Sequence, residues 1–397
     1  MKIVILSSWF SERMGYIENC LPKALALLGH EVHVVSSTAQ VYFNSPDYKD
    51  VYEPFLGKNI VEVGEKMIDG YTLHRIPFVN LKNKILLQKL SKKLAEIRPD
   101  VVQVFDAFSV TTLQAAWYQP IYRYKLFTAN HTVASVFPLF QKGQGTLLHK
   151  IFFYFTRTLP GTMVSWITCM SFPATIDALE IAVKYYGVPL RKAKLASLGV
   201  DTDFFAPPAP SELEYRFIRR RELGVADDTL LCIYTGRFTA SKNPLCLAKA
   251  IEKLNMQGEK ITALFMGDGA QLSEIKSCKG CIVHEFVPYH RLPQYYHLAD
   301  IGVWPCQEST SMIDASACGL PIIISNRVQA LERVEGNGLT YIENDVDDMM
   351  QVLLKMKDEK LRKKLSEHGI KKITDLYSWN KIAVERIHDY KKFVKNL

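Results

Sequence analysis

The chain has 397 residues, of which 48% are hydrophobic and 23% charged, and its formal net charge is +8. That length exceeds one ordinary core and predicts two domains. No apolar run reaches the ~18–20 residues of a membrane span, no zinc-finger or basic-heptad module marks a nucleic-acid binder, and the start is too short for a signal peptide. Eight scattered cysteines fit a reduced, cytoplasmic setting. Residues 1–210 hold 22 Lys and Arg against 16 Asp and Glu, and residues 211–397 hold 27 against 25. The first half therefore favours an anionic surface or acceptor.

Taken in order, short apolar runs alternate with helical patterns, the signature of parallel sheets covered by helices. The predicted strands of the first half are 2–6, 31–36, 71–76, 101–104, 125–128 and 166–169. Those of the second half are 230–235, 262–266, 281–285, 301–305 and 321–325. Helices are predicted over 17–28, 83–97, 245–254 and, at the end, 379–394. Pro207-Pro208-Ala209-Pro210 suits neither a helix interior nor a central strand, which puts the expected boundary there: domains 1–207 and 208–378. Cys278-Lys-Gly-Cys281 lacks a partner pair; a turn between two strands fits it better than zinc.

The chemistry gathers after the strands of the second half. Tyr234-Thr-Gly236-Arg237 leads to Lys242-Asn243-Pro244, two cations five apart beyond a strand. Fixed cations there can hold a multiply charged anion, Arg bidentately and Lys as a point charge, or can be two surface cations after a strand. Met266-Gly267-Asp268-Gly269 reads as a tight turn. Further on, Glu308-Ser309-Thr310-Ser311-Met312 precedes Asp314-Ala-Ser-Ala-Cys318-Gly319-Leu-Pro321, a short helix closed by a glycine and followed by a buried strand. Free N–H groups at such a helix start can hold phosphate, and Ser311 with Asp314 has capping-box spacing. Asp314 could equally be only a first-turn acid suited to the helix dipole. In the first half, Gly15 follows the first strand and His131 ends another. Each has a plain structural alternative, a turn glycine and a capped strand-end histidine.

The run Asp314–Pro321, with the Gly-Arg…Lys segment, resembles glycosyltransferase family 4, the retaining nucleotide-sugar glycosyltransferases of group 1. Glu285-Phe-Val287-Pro288 and Gly199-Val200-Asp201 match that family too. The resemblance implies the GT-B fold: α/β, two Rossmann-like domains facing each other across a cleft, with the last helix (about 379–397) returning to the N-terminal acceptor-binding domain. It implies sugar transfer from a nucleoside diphosphate, such as a UDP-sugar, to a saccharide or lipid-linked acceptor in cell-surface polysaccharide, lipopolysaccharide or glycolipid synthesis, with no cofactor and no metal. Arg237, Lys242, His131 and Glu308 would be catalytic. Gly15, Gly236, Gly267, Val287, Ser309, Thr310, Ser311, Met312 and Asp314 would bind the donor, Asp314 through its ribose. The chain departs from the family where a first glutamate stands eight positions before Asp314, since Cys306 occupies that place. Glu308 either replaces it on a tighter loop or is a solvated acid. Alternatives are a nucleotide-sugar epimerase on the same fold and a non-catalytic partner with a decayed donor site.

Two stretches suggest peripheral contact at the inner face of a membrane. Residues 81–98 combine Lys82, Lys84, Lys89, Lys92, Lys93 and Arg98 with Leu86, Leu90, Leu94 and Ile97, and residues 147–167 combine Leu147, Phe152, Phe153, Phe155 and Trp166 with Lys150 and Arg157. A basic amphipathic helix can lie on an anionic bilayer; the plain alternative is a helix whose apolar face is core and whose lysines are solvated.

Overall fold

The computed structural model describes every residue except 83, 138, 140–145 and 395–397. Contacts divide the chain into two compact units, Met1–Leu198 with Trp379–Leu397, and Gly199–Ser378. Each is described by itself.

The strands, in chain order, are β1 (Lys2–Ser7), β2 (Glu31–Ser37), β3 (Gly64–Ile68), β4 (Tyr71–Ile76), β5 (Phe78–Asn80), β6 (Ile85–Leu87), β7 (Val101–Val104), β8 (Lys125–Asn130), β9 (Thr168–Pro173), β10 (Leu230–Thr235), β11 (Ile261–Met266), β12 (Cys281–His284), β13 (Ile301–Trp304), β14 (Ile322–Ser325) and β15 (Gly338–Tyr341). In the first unit they form a seven-stranded sheet of order β3-β4-β2-β1-β7-β8-β9, and β5 pairs with β6 in a separate hairpin. All neighbours in the large sheet are parallel except the β3–β4 pair. The continuous apolar runs of β1 and β7 are those of strands covered on both faces. One face is closed by the helices Ile17–Leu27 and Trp379–Lys391, whose Trp379, Ala383, Ile387 and Tyr390 join the core of Ile3, Ile5, Val34 and Phe127.

The second unit carries a six-stranded parallel sheet of order β12-β11-β10-β13-β14-β15. All six residues of β10 are buried.

The two units divide at Leu198–Gly199, ahead of the proline run at 207–210. The reason is packing: Val200 and Phe205 are buried in the second unit's core, and the Val200 N–H donates to the Tyr377 carbonyl. Pro210 opens the helix Pro210–Glu222, where its missing N–H costs nothing. Other expectations also need correction. The predicted helix 83–97 begins only at Leu90, because Ile85–Leu87 pairs as β6; residue 83 itself lies outside the described residues. The strand expected at 166–169 is β9, shifted later because Trp166 and Ile167 finish the helix Leu159–Ile167. Cys278 and Cys281 flank a turn from the helix Leu272–Ser277 into β12, so the turn joins a helix to a strand.

Candidate functional site

In a doubly wound sheet, ligands sit beyond the carboxyl ends of the strands, where the strand order reverses. In the second unit that point lies between β10 and β13. Arg237 and Lys242 follow β10, and Glu308–Asp314 follow β13. The structure joins the two segments: the Lys242 ammonium donates to the Glu308 carbonyl at 2.7 Å. Arg333, on the 3-10 turn Leu331–Arg333, is 7% exposed and donates to the Ser309 carbonyl at 3.0 Å. Burial lowers the Lys242 pKa to about 8; Glu308 opposes the shift, and the nearby charges of Arg237 and Arg333 add to it. Arg237 is exposed, with its backbone carbonyl held by the Tyr234 hydroxyl at 2.9 Å. Three cations therefore lie close together at this strand-order reversal.

The glycines there are required by positive φ, and Gly267 also by close backbone approach. Gly236 and Gly267 have φ of +147° and +150°, and a Cβ on Gly267 would lie 1.9 Å from the Gly236 carbonyl oxygen. These turns lie side by side at the ends of β10 and β11, with the Gly236 N–H bonded to the Met266 carbonyl. Val287, beyond β12, packs half-buried against the core.

The segment after β13 departs from expectation. The helix Ser311–Ala317 has no side-chain cap, so the Ser311–Asp314 capping box does not form. Tyr296 lies beside Ser311, its own hydroxyl paired with that of Thr235 at 2.9 Å, and Tyr289 lies beside the Asp314 carboxyl. Nor are the first N–H groups open to phosphate. Ser311 N–H donates to the Ser309 hydroxyl and Met312 N–H to the Ser309 carbonyl, each at 3.3 Å, and Ile313 N–H donates to the Thr310 carbonyl at 2.8 Å. Asp314 is 3% exposed, and burial, with Asp201 nearby, holds its carboxyl well above the usual range. The Glu308 carboxylate accepts from the Gln329 N–H at 3.3 Å, tying its loop to the one after β14.

His131 and Gly15 belong to the first unit. Its strand order reverses between β1 and β7, and there a cavity of about 180 Å3 is lined by Ser7, Ser8, Trp9, Glu18, Asp106 and His131, among others. Gly15 lies in the loop between β1 and the helix Ile17–Leu27. That loop is pinned by Arg75 donating to the Phe10 carbonyl at 2.9 Å and by Ser11 donating to Gln40 at 2.7 Å. Burial raises the Glu18 pKa to about 7, with a smaller push from Asp106. The Asp106 carboxyl is also raised by desolvation, although its side chain reaches solvent, and nearby Ser109 opposes the shift. His131 stacks on Phe105 at 5.9 Å. Burial, and then the Arg386 charge, lower its pKa to about 4, so it is neutral at pH 7. Sequence reasoning missed Arg333, Tyr289, Glu18 and Asp106. Only Glu18 left a signal, three residues after Gly15 in the first turn of a helix.

Residues 229–358 match the family model described as glycosyl transferases group 1. The chain is 26% identical over 240 residues to a D-inositol 3-phosphate glycosyltransferase of Xylanimonas cellulosilytica, a match covering 56% of each chain. It thus spans about half the length of the curated relatives it matches. Two solved structures align over nearly the whole chain. Sucrose-phosphate synthase from Thermosynechococcus elongatus has a TM-score of 0.71 at 15% identity, covering 99% of both chains. Anabaena Alr3699/HepE in complex with UDP has a TM-score of 0.71 at 14% identity, covering 99% of this chain and 100% of that one.

Proposed function

We infer, from a group 1 glycosyltransferase domain at residues 229–358 in a chain of GT-B fold, that this protein is a retaining glycosyltransferase. Its donor is a nucleoside-diphosphate sugar, as the UDP bound to HepE suggests. The observation that carries this reading is the Lys242–Glu308 contact at the β10/β13 reversal, with Arg237 and Arg333 beside it. In the reaction the bond from the sugar's anomeric carbon to the diphosphate breaks, and one from that carbon to an acceptor oxygen forms on the same face. The acceptor proton passes to a leaving diphosphate oxygen. Arg237 and Lys242 stabilise the charge that develops there, a role in which preorganised cations contribute most. They supply the charge a divalent ion would otherwise bring, so the transfer is metal-independent. Arg333 holds the Ser309 segment in place. Asp314 would hydrogen-bond the ribose hydroxyls.

Neutral His131 hydrogen-bonds a sugar hydroxyl, and Glu18 and Asp106 take acceptor hydroxyls. The acceptor is a saccharide or lipid-linked saccharide of a surface polysaccharide or glycolipid, the latter within reach through peripheral membrane contact. The test is thermal stabilisation by UDP, GDP and ADP and their sugars, each with and without chelator. One base family should stabilise the protein equally under both conditions. No stabilisation by any nucleotide would remove the donor reading. A product formed from donor alone, other than by hydrolysis, would favour the epimerase.

A further inference from the structure

The two membrane candidates of the sequence part company in the structure. In the lysine-rich helix Leu90–Ile97, Leu90, Leu94 and Ile97 are buried at 1%, 0% and 6% exposure, so its apolar face is core. Its cations are partly neutralised, since Lys93 pairs with both Glu65 and Glu96. That helix therefore presents no apolar face to a membrane.

The stretch from Leu147 to Ile167 is the opposite. Neither the helix Leu147–Phe153 nor the turn Tyr154–Thr158 buries a single residue. Leu148, Phe152 and Phe155, spaced along one helical stripe, are 77%, 67% and 61% exposed. Trp166 is 70% exposed at the end of the helix Leu159–Ile167. The helix Val110–Tyr122 packs against that helix and adds Trp117 and Ile121, at 77% and 61%. The opposite side is anchored: Phe153 sits edge-on to Phe137 at 5.8 Å, and a Cβ on Gly161 would lie 2.3 Å from the Tyr186 carbonyl oxygen. The aromatic face is therefore held outward by packing behind it. Soluble surfaces rarely leave so many large apolar side chains in water on neighbouring elements.

Charge selects the occupant. From Ala107 to Ile176 the chain contains no Asp or Glu. Lys150 is exposed within the aromatic stretch, and Lys192 donates to the Ser165, Trp166 and Thr168 carbonyls at the helix end beside Trp166. Among the described residues no helix is long and apolar enough to cross a membrane. Outward aromatics, cations alone among the charges and no crossing segment together describe an element lying in the headgroup layer.

We propose that the face formed by Leu148, Phe152, Phe155, Trp166, Trp117 and Ile121 docks on an anionic lipid bilayer, with Lys150 at the headgroups. This rests on the reading of a lipid-linked acceptor only for its purpose; the binding itself needs no donor and no turnover.

The full chain is sedimented with sucrose-loaded vesicles of phosphatidylglycerol and phosphatidylcholine, and with phosphatidylcholine alone. Binding should favour the anionic vesicles and weaken as salt rises. Phe152→Ser/Phe155→Ser/Trp166→Ser should bind at least about tenfold more weakly, since each change removes apolar area that the bilayer would cover. Lys150→Glu should reduce the preference for anionic vesicles. Brominated lipid should quench tryptophan emission, and Trp117→Phe/Trp166→Phe should abolish most of that quenching. Nucleotide binding, measured on the same preparations, should be unchanged. Loss of nucleotide binding in the wild-type chain would sink the donor reading and leave this one standing. The proposal is overturned if the wild-type chain ignores anionic vesicles, if the triple variant binds them as well, or if the face is instead covered by a second copy, seen as a dimer in sedimentation velocity that the triple variant dissolves.

Discussion

The two sheets reverse strand order in the same way and place opposite chemistry at the reversal. Beyond β10 and β13, Arg237, Lys242 and Arg333 concentrate positive charge, two of them clasping backbone carbonyls. Beyond β1 and β7, Glu18 and Asp106 line a cavity that resists their ionisation, beside a histidine kept neutral. The topology fixes where a ligand goes; the side chains fix which ligand. The first arrangement suits a diphosphate, which arrives charged. The second suits neutral hydroxyls, because a protonated carboxyl and a neutral imidazole can each donate and accept hydrogen bonds, and a carboxylate can still accept them.

The sharpest way to break the comparison is to remove the charge from one side. Arg237→Ala/Lys242→Ala should lower turnover by a factor of about 10³ or more, the scale of a lost preorganised electrostatic contact. The same pair should weaken nucleotide binding and leave the melting temperature nearly unchanged, since Arg237 is exposed and burial works against the charged Lys242. Steady-state kinetics with melting curves test this, and unaltered turnover would end the mechanism. Next in size is Gly267→Ala. With φ at +150° and the Gly236 oxygen 1.9 Å from the new Cβ, the two turns must separate. A loss of about 2–4 kcal/mol is expected from denaturant melts, together with weaker nucleotide binding. A variant as stable as the parent would show that the glycine contact is not tight.

A smaller effect comes from pH. Lys242, lowered to about 8, loses its proton as pH rises through that value, so kcat/KM should fall above pH about 8. Lys242→Arg should remove that limb, because guanidinium stays charged. An alkaline limb that persists in Lys242→Arg belongs to another group.

What was legible in the sequence follows from the range of the interactions. Strands covered on both faces, such as β1, β7 and β10, announce themselves as apolar runs and were placed within a residue or so. The β3 edge strand, Gly-Glu-Lys-Met-Ile, is mostly exposed and carries no such run. Its turn did leave a signal that went unread: Asp69-Gly70, with φ of +43° and +85°, is an Asp-Gly hairpin pair. Arg237 and Lys242 stood out as candidates because their spacing after a strand is local. Arg333 was invisible because its partner is a backbone carbonyl 24 positions away. The capping box failed for a related reason. Ser311 and Asp314 have the right spacing, but Tyr296 lies beside the one and Tyr289 beside the other, and a propensity rule cannot see tertiary neighbours. Nor could composition decide between two amphipathic stretches, because burial decides it: Leu94 is at 0% exposure and Leu148 at 77%.

The finest discrimination concerns the first unit's cavity. The Glu18 pKa is raised from 4.5 in the unfolded reference to about 7 in the folded state. Between those values the folded protein binds the proton and the unfolded chain does not, so this group's contribution to stability falls as pH rises from about 4.5 to about 7 and is constant above. Glu18→Gln cannot ionise and removes that slope. The melting temperature of the variant relative to the parent should therefore climb across this window, by ~3 °C or more, and level off beyond it. His131, whose pKa is lowered to about 4, adds the opposite slope on the acid side, rising from about 4 to 6.5, but it is present in both proteins and largely cancels in the difference. A difference that stays flat from pH 5 to 8 would mean that Glu18 ionises normally. The cavity would then be acidic at neutral pH, and the contrast between the two units would reduce to one of sign alone.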